Sequence, residues 1–289
     1  MNNMHNKVVA ITGAGSGIGR ALALNLARRK ARLAISDIDA KGLANTGQQC
    51  REMGAEVVTS TLDVADREAV YAWAAAVHAH YGEVNVVVNN AGVSLGATVE
   101  DMSWEDFQWL MNINFWGVVY GTKAFLPYLR DSGDGHVVNL SSLFGLLSMP
   151  MNSAYNAAKF AVRGFTESLS QELRVTGEPV GVTCVHPGGI DTHIASGGRV
   201  VANANWGLVS AEESGKHFKR FARTTPEAAA EQIVQAITHQ QRRLLIGGDA
   251  RLFDAVQRLF PTAYQKLTVR LVKKLIAQRK KETLEHEHV

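Results

Sequence analysis

Cysteine is scarce in this chain, with only Cys50 and Cys184 among 289 residues. They follow no CxxC spacing, which excludes a disulfide framework and fits a reducing compartment. Excess charge of one sign is lacking as well. A net charge of +3 is too small to mark a nucleic-acid binder, and no nucleic-acid partner is expected. No apolar run reaches the length needed to cross a bilayer, and no leader-like segment precedes Val8. A soluble, cytoplasmic protein is the expectation. Several catalytic signatures are missing too. No HExxH occurs, and the ten histidines are scattered: His78 and His80 sit two apart on a helix and face apart, while His186 and His193 fall in one loop. No metal site is expected from them. No GxSxG elbow points to a hydrolase. Neither an internal repeat nor a low-complexity linker interrupts the chain.

What is present reads as a globular α/β protein. Hydrophobic residues make up 46% and charged ones 20%, enough to fill a sizeable core. Short apolar runs at 8–12, 32–37, 56–62, 84–89, 136–140, 180–186 and 243–246 alternate with helical stretches such as 20–30 and 66–81. VNVVV and GVTCV are apolar throughout, as strands covered on both faces must be. Ser103, three residues before Asp106, offers a capping box. Thr225-Pro226-Glu227 combines a capping hydroxyl, proline at the first helical position and an early acid. The alternation predicts a Rossmann-like, doubly wound parallel sheet of about seven strands.

The stretch TGAGSGIG, from Thr12 to Gly19, lies between the first strand and the first helix. Such a loop aims free backbone N–H groups and the positive end of the helix dipole at one point, which suits a phosphate. It is not a P-loop, because no GK[ST] follows. Nor is it a strict GxGxxG, since Ile18 occupies the sixth position counted from Gly13; the fit is TGxxxGxG, with Gly13, Gly17 and Gly19. Asp37 ends the second strand 18 residues beyond Gly19. That is where a dinucleotide fold receives the adenosine ribose, although a turn aspartate or helix cap would also suit the position. A carboxylate there repels a 2′-phosphate, and neither Ser16 nor Ile38 supplies a cation to neutralise one. NAD is therefore expected ahead of NADP.

YNAAK places Tyr155 and Lys159 four apart on one helix face. A phenol titrates near pH 10, and a neighbouring ammonium favours its ionised form. Such pairs also occur as plain surface neighbours. Ser142 lies 13 residues upstream, just past the strand HVVNL, at the carboxyl edge where open α/β sheets bind ligands.

With these residues the chain resembles the short-chain dehydrogenase/reductase family. TGAGSGIG, Asp63 in TLDV, NNAG at 89–92, Asn114 in NINFWG, the Ser142–Tyr155–Lys159 triplet and PGGIDT at 187–192 appear in the family's order and spacing. The resemblance runs over roughly residues 5–195, and more loosely to about 250. It implies that Tyr155 is the general acid/base, that Lys159 lowers its pKa and holds the nicotinamide ribose, and that Ser142 bonds the reacting oxygen. It implies that Asn114 holds a water joining Lys159 to a proton path. Gly13, Ser16, Gly17, Ile18, Gly19 and Asp37 would cradle the cofactor, with Asp63 and Val64 at the adenine, Asn90 at the adenosine ribose, and Ile190 and Thr192 at the nicotinamide amide. Ser141 and Asn112 are close rivals that the spacing sets aside. The activity implied is hydride transfer between NAD(H) and a secondary alcohol or ketone, in a homodimer or homotetramer. A catalytically silent dinucleotide sensor or scaffold is the alternative, and the competent residues at all four catalytic positions argue against it.

LFGLLSMPM after Ser142, with Ile194, Val200, Val201, Trp206 and Leu208 beyond Thr192, favours an apolar, fairly bulky substrate over a sugar. The expected organisation is a dinucleotide-binding domain over 1–250, including a substrate loop at 190–225, and a basic amphipathic helical extension over 251–289. From Arg251 to Lys281 nine basic residues face one acid, Asp254. Tyr264, Leu267, Leu271, Val272 and Leu275 share one helical side, and Lys266, Arg270, Lys273 and Lys280 the other. Packing on the domain or on a partner subunit is the favoured reading. Peripheral contact with an anionic membrane is the second.

Overall fold

The computed structural model describes residues 1, 3–192, 194, 197–203, 206, 210–213, 215 and 223–287; in the last helix the side chains of 275 and 278–287 lie outside that description. Seven strands run in parallel: β1 (Val8–Thr12), β2 (Arg32–Asp37), β3 (Val57–Thr61), β4 (Val86–Asn89), β6 (Gly135–Leu140), β7 (Val180–Pro187) and β9 (Arg243–Ile246). Their order is β3-β2-β1-β4-β6-β7-β9. The strand order reverses between β1 and β4, which opens a crevice at their carboxyl ends. The fold is the Rossmann-like, doubly wound sheet that the alternation predicts.

Every residue of β1, β4 and β6 is buried, so these strands are read as continuous apolar runs rather than alternating ones. Their period of two still divides the core. Val9 and Ile11 meet α1 (Gly17–Arg28) and α7 (Pro226–Thr238), through Leu22, Leu26, Ile233 and Ile237. Val8 and Ala10 face the opposite layer of α3 (Arg67–Tyr81), α5 (Gly117–Asp131) and α6 (Ser153–Val175). There Trp73 meets Phe125 edge-on, with ring centroids 5.2 Å apart.

The helix starts follow their local chemistry. Asp66 accepts from Ala69 N, and Thr225, ahead of Pro226, accepts from Ala228 N. α2 (Ala40–Glu52) and α4 (Trp104–Met111) begin in the same way on Asp39 and Ser103. The box expected at Ser103 is only half made: its hydroxyl accepts from Asp106 N, but the Asp106 carboxylate turns to Arg199 at 2.7 Å. A full guanidinium is the stronger partner for a carboxylate.

Two short strands, β5 (Leu95–Gly96) and β8 (Arg199–Val200), form a second parallel sheet that ties the segment beyond Thr192 to the segment after NNAG. The boundary expected at 250/251 falls inside α8 (Gly248–Leu259), which is followed by α9 (Tyr264–Glu287). Tyr264, Thr268 and Val272 are buried, whereas Leu267 and Leu271 are exposed, so only part of the apolar side is covered. The side chains of Leu275 and Lys280 lie outside the described residues.

Phe125 is fully buried and central to one layer. Phe125→Ala should lower unfolding free energy by about 3–5 kcal/mol, read from the denaturant midpoint. A loss under about 1 kcal/mol would show that this layer repacks freely.

Candidate active site

The glycine loop is a place where backbone meets backbone. Gly13 has φ +67°, and a Cβ added there would come within 2.8 Å of Ala91 Cα. A Cβ on Gly19 would overlap Gly13 O. Thr12 and Asn90 hold this approach. Thr12 Oγ1 accepts from Asn90 N at 3.0 Å and Ala91 N at 3.1 Å, while Asn90 Nδ2 donates to Thr12 O and Gly13 O. The Asn90 amide nitrogen is therefore committed to the loop itself. Ser16, extended and exposed, begins α1 without a side-chain capping bond, and no acid occupies the first turn. The positive pole of this helix is left without a carboxylate of its own. Thr192 reaches over the loop, its Cγ2 lying 3.2 Å from a Cβ added to Gly17, and Ile18 packs at the edge of the core beneath.

Asp37 stands at the end of β2 against this loop. Its Oδ2 accepts from Gly15 N at 2.7 Å and its Oδ1 from Asp39 N at 2.9 Å. Each oxygen keeps a lone pair for a further donor. Ile38 beside it is 67% exposed, and among the described residues no cation pairs with Asp37. Asp63 is exposed and turns its carboxylate to Ala65 N, while Val64 is buried against Gly117. Ile190 is buried and bridges to Thr224.

Ser142, Tyr155 and Lys159 come together at the carboxyl end of β6. Tyr155 lies in the first turn of α6, half-buried, with Lys159 Nζ 5.6 Å from its ring centroid. Burial raises the Tyr155 pKa, against which the hydrogen bond with Ser142 works. Burial also pushes Lys159 down, to about 8. Its Nζ donates to Leu140 O at 3.0 Å. The rival Ser141 is buried and spends its hydroxyl on Lys159 O at 2.9 Å, so Ser142 is the serine that meets Tyr155. The rival Asn112 is exposed. Asn114 is buried: its Oδ1 accepts from Val93 N and its Nδ2 donates to Val93 O, both at 2.8 Å. It lies in a π-helical turn, Asn112–Trp116, that no spacing announced. Such turns often mark functional sites. A Cβ on Gly92 would sit 3.3 Å from Asn114 Oδ1 and 3.6 Å from Lys159 Nζ, so Gly92 keeps these two groups close.

Sequence reasoning missed three supports of this site. Thr12 was read only as the start of the glycine stretch. Buried His186, next to last in β7 and so at the end of the strand run read from the sequence, has a contact that no motif announces: its Nδ1 bonds Ser142 O at 3.1 Å. Burial holds its pKa near 4, so the ring stays neutral and donates through Nδ1. Asp249, in the first turn of α8, accepts from Gly189 N. None of the three carries a spacing signal, because each acts across the sheet's edge.

The walls around Tyr155 are apolar. Phe144 meets its ring edge-on at 6.1 Å, and Val93, Phe115 and Val201 pack in the same cluster. Leu143, Leu146 and Leu147 are buried, Ile194 O accepts from Ser94 Oγ, and Trp206 is 37% exposed. His193 and Leu208 lie outside the described residues.

Comparison with known proteins decides the family. The family described as short chain dehydrogenase matches residues 7–199. The chain belongs to the short-chain dehydrogenase family. A Mycobacterium tuberculosis protein named "Putative oxidoreductase SadH" is 49% identical over 92% of this chain and 95% of its own length. Human estradiol 17-beta-dehydrogenase 11 is 32% identical over 89% of this chain and 80% of its own length. A short-chain dehydrogenase/reductase of Burkholderia phymatum, solved in complex with NAD, superposes with a TM-score of 0.83 at 32% identity. That match covers 89% of this chain and 95% of the other. This short-chain dehydrogenase is thus an oxidoreductase, of a family that works on small molecules with nicotinamide dinucleotides. Its residues fit such a cofactor: a backbone cradle that a Cβ would fill, a helix N-terminus with no side-chain cap, and beside them the Asp37 carboxylate, which no cation pairs among the described residues. No described helix of this short-chain dehydrogenase is long and apolar enough to cross a membrane.

The buried ammonium gives a pH test. Lys159 titrates near 8 when folded against an ordinary 10.5, so the unfolded chain binds more protons between those values. Burying the charge costs stability at neutral pH, and the cost fades as pH rises through that window. Lys159→Met should be the more stable protein at pH 7, by up to about 3 kcal/mol. That advantage should shrink steadily from pH 8 upward in denaturant titrations. A difference independent of pH would contradict the burial of a charged amine.

Proposed function

We propose that this short-chain dehydrogenase transfers a hydride between NAD(H) and an apolar, fairly bulky secondary alcohol or ketone. The observation that carries the reading is the meeting of Tyr155, Ser142 and Lys159 beside the glycine loop, at the carboxyl edge of the sheet. The nicotinamide, when bound, supplies or accepts the hydride. The chain's own residues handle the proton and the oxygen. In oxidation Tyr155 takes the hydroxyl proton, and in reduction it returns one to the forming alkoxide. Ser142 donates to the reacting oxygen, where charge builds. Lys159 holds the nicotinamide ribose, and its positive charge favours the phenolate against the burial that opposes it. Asn114 holds a water that passes protons onward from Lys159.

Gly13, Ser16, Gly17, Ile18 and Gly19 receive the pyrophosphate, and Asp37 receives the adenosine ribose. Asp63, Val64 and Asn90 line the adenosine half; Ile190 and Thr192 meet the nicotinamide amide. The NAD in the Burkholderia phymatum structure, and the steroid alcohol in the human relative's name, are properties of those proteins that support the reading. The apolar walls at Phe144, Val93 and Val201 support a bulky substrate. A cytoplasmic homodimer or homotetramer completes the proposal.

The test is turnover with a panel of apolar secondary alcohols and both cofactors. The wild type should show kcat/KM for NAD at least about tenfold above that for NADP, because the carboxylate repels a 2′-phosphate. Asp37→Ala combined with Ile38→Arg should move that ratio toward NADP. An NADP preference in the wild type would contradict the assignment of Asp37, and no turnover with either cofactor would contradict the reaction.

A further inference from the structure

The two loops that border the Tyr155 site are each held by the C-terminal helices. On the cofactor side, Asp249 Oδ2 accepts from Gly189 N at 2.7 Å, a charge-assisted bond. The carboxylate sits in a seat shaped by glycine: a Cβ on Gly188 or on Gly247, which has φ +97°, would overlap its oxygens. Gly188 N donates to Ile246 O at 2.9 Å, so the end of β9 and the start of α8 grip residues 188 and 189 together. A double glycine is the loosest backbone available and has the most freedom to lose on ordering.

On the substrate side, Tyr264 opens α9 with its ring buried among Leu143, Leu146 and Leu147. Its hydroxyl accepts from Ser148 N at 3.2 Å. Phe253 and Val256 of α8 pack in the same cluster, and the 3-10 turn Leu143–Gly145 begins at Ser142. One short helix thus has a polar anchor on one loop near its start and another on the second loop just past its end.

We propose that Asp249 and Tyr264 are positioning residues through which the C-terminal helices set the two loops separately, Asp249 ordering 188–190 for the cofactor and Tyr264 ordering 143–149 for the substrate. The kinetic half of this proposal rests on the dehydrogenase reading; the ordering of the loops does not. A loop ordered in advance loses less freedom when a ligand binds, so releasing an anchor weakens binding rather than chemistry.

The experiment uses the full chain with Asp249→Ala, Asp249→Asn and Tyr264→Phe. It measures backbone amide exchange at 143–149 and 188–190, NADH Kd by fluorescence, and KM and kcat for small and bulky secondary alcohols. Asp249→Ala should speed exchange at 188–190 alone and raise NADH Kd about fivefold or more. Asp249→Asn, whose amide oxygen still accepts from Gly189 N, should fall between it and wild type. Tyr264→Phe should speed exchange at 143–149 alone. It should raise KM for bulky alcohols about threefold to tenfold, with kcat and NADH Kd within about twofold of wild type. Unchanged exchange in the anchored loop, or equal disturbance of both loops by either variant, would overturn the proposal. A wild type that binds NADH but oxidises no alcohol would defeat the dehydrogenase reading, while exchange and NADH affinity still decide this one.

Discussion

Gly13 and Ala91 touch through their backbones, and the working edge of this protein depends on that contact. Any side chain at Gly13 or Gly19 would collide with main chain as well as with the Asn90 amide. The approach brings the carboxyl ends of β1 and β4 together at the point where strand order reverses. Thr12 and Asn90 lock it with hydrogen bonds to backbone on both sides. From there the segment after NNAG runs to Val93, which fixes Asn114, and Gly92 leaves room for Asn114 and Lys159 to stand near one another. The glycine cradle and the frame that holds Asn114 and Lys159 are one continuous construction.

Burial then sets the electrostatic problem. Tyr155 and Lys159 both lose hydration, so each is driven toward its neutral form. The sequence spacing alone suggests a phenol made more acidic by its lysine neighbour; in this structure burial raises the phenol instead, and the hydrogen bond with Ser142 is what works against it. Under the proposed reading, an oxidised nicotinamide adds a positive charge beside Tyr155 and so favours the phenolate once the cofactor is bound. Neutral His186, behind Ser142, adds a fixed hydrogen bond without adding charge.

Much of this was legible in the chain itself. The seven strands stood out because parallel strands covered on both faces are apolar throughout, as in Val86–Asn89. The helix starts at Asp66 and Thr225 followed from local capping chemistry. Of the residue pairs that spacing alone had to separate, Ser141 spends its hydroxyl on Lys159 O and Asn112 is exposed, while Asn114 is buried against Val93. What could not be read depends on contacts between distant segments. β5 and β8 are two residues each, too short for any period. The π turn at Asn112–Trp116 differs from α-helix by one residue of slack. Asp106 chose Arg199, 93 residues away, over its own helix start. The tail's amphipathic pattern favours packing on the domain or a partner subunit but matches no motif, so nothing in it announces that Tyr264 and α8 lie on the loop that follows Ser142.

In the proposed reaction Tyr155 moves the proton while the rest of the site binds and orients. Tyr155→Phe isolates that role, because it removes one hydroxyl and leaves the ring against Phe144. The measurement is kcat for a productive alcohol beside NADH Kd for the same preparation. The expected result is a fall in kcat of about 100-fold or more with NADH Kd within about twofold of wild type. A variant that binds NADH normally and turns over at near the wild-type rate would contradict it.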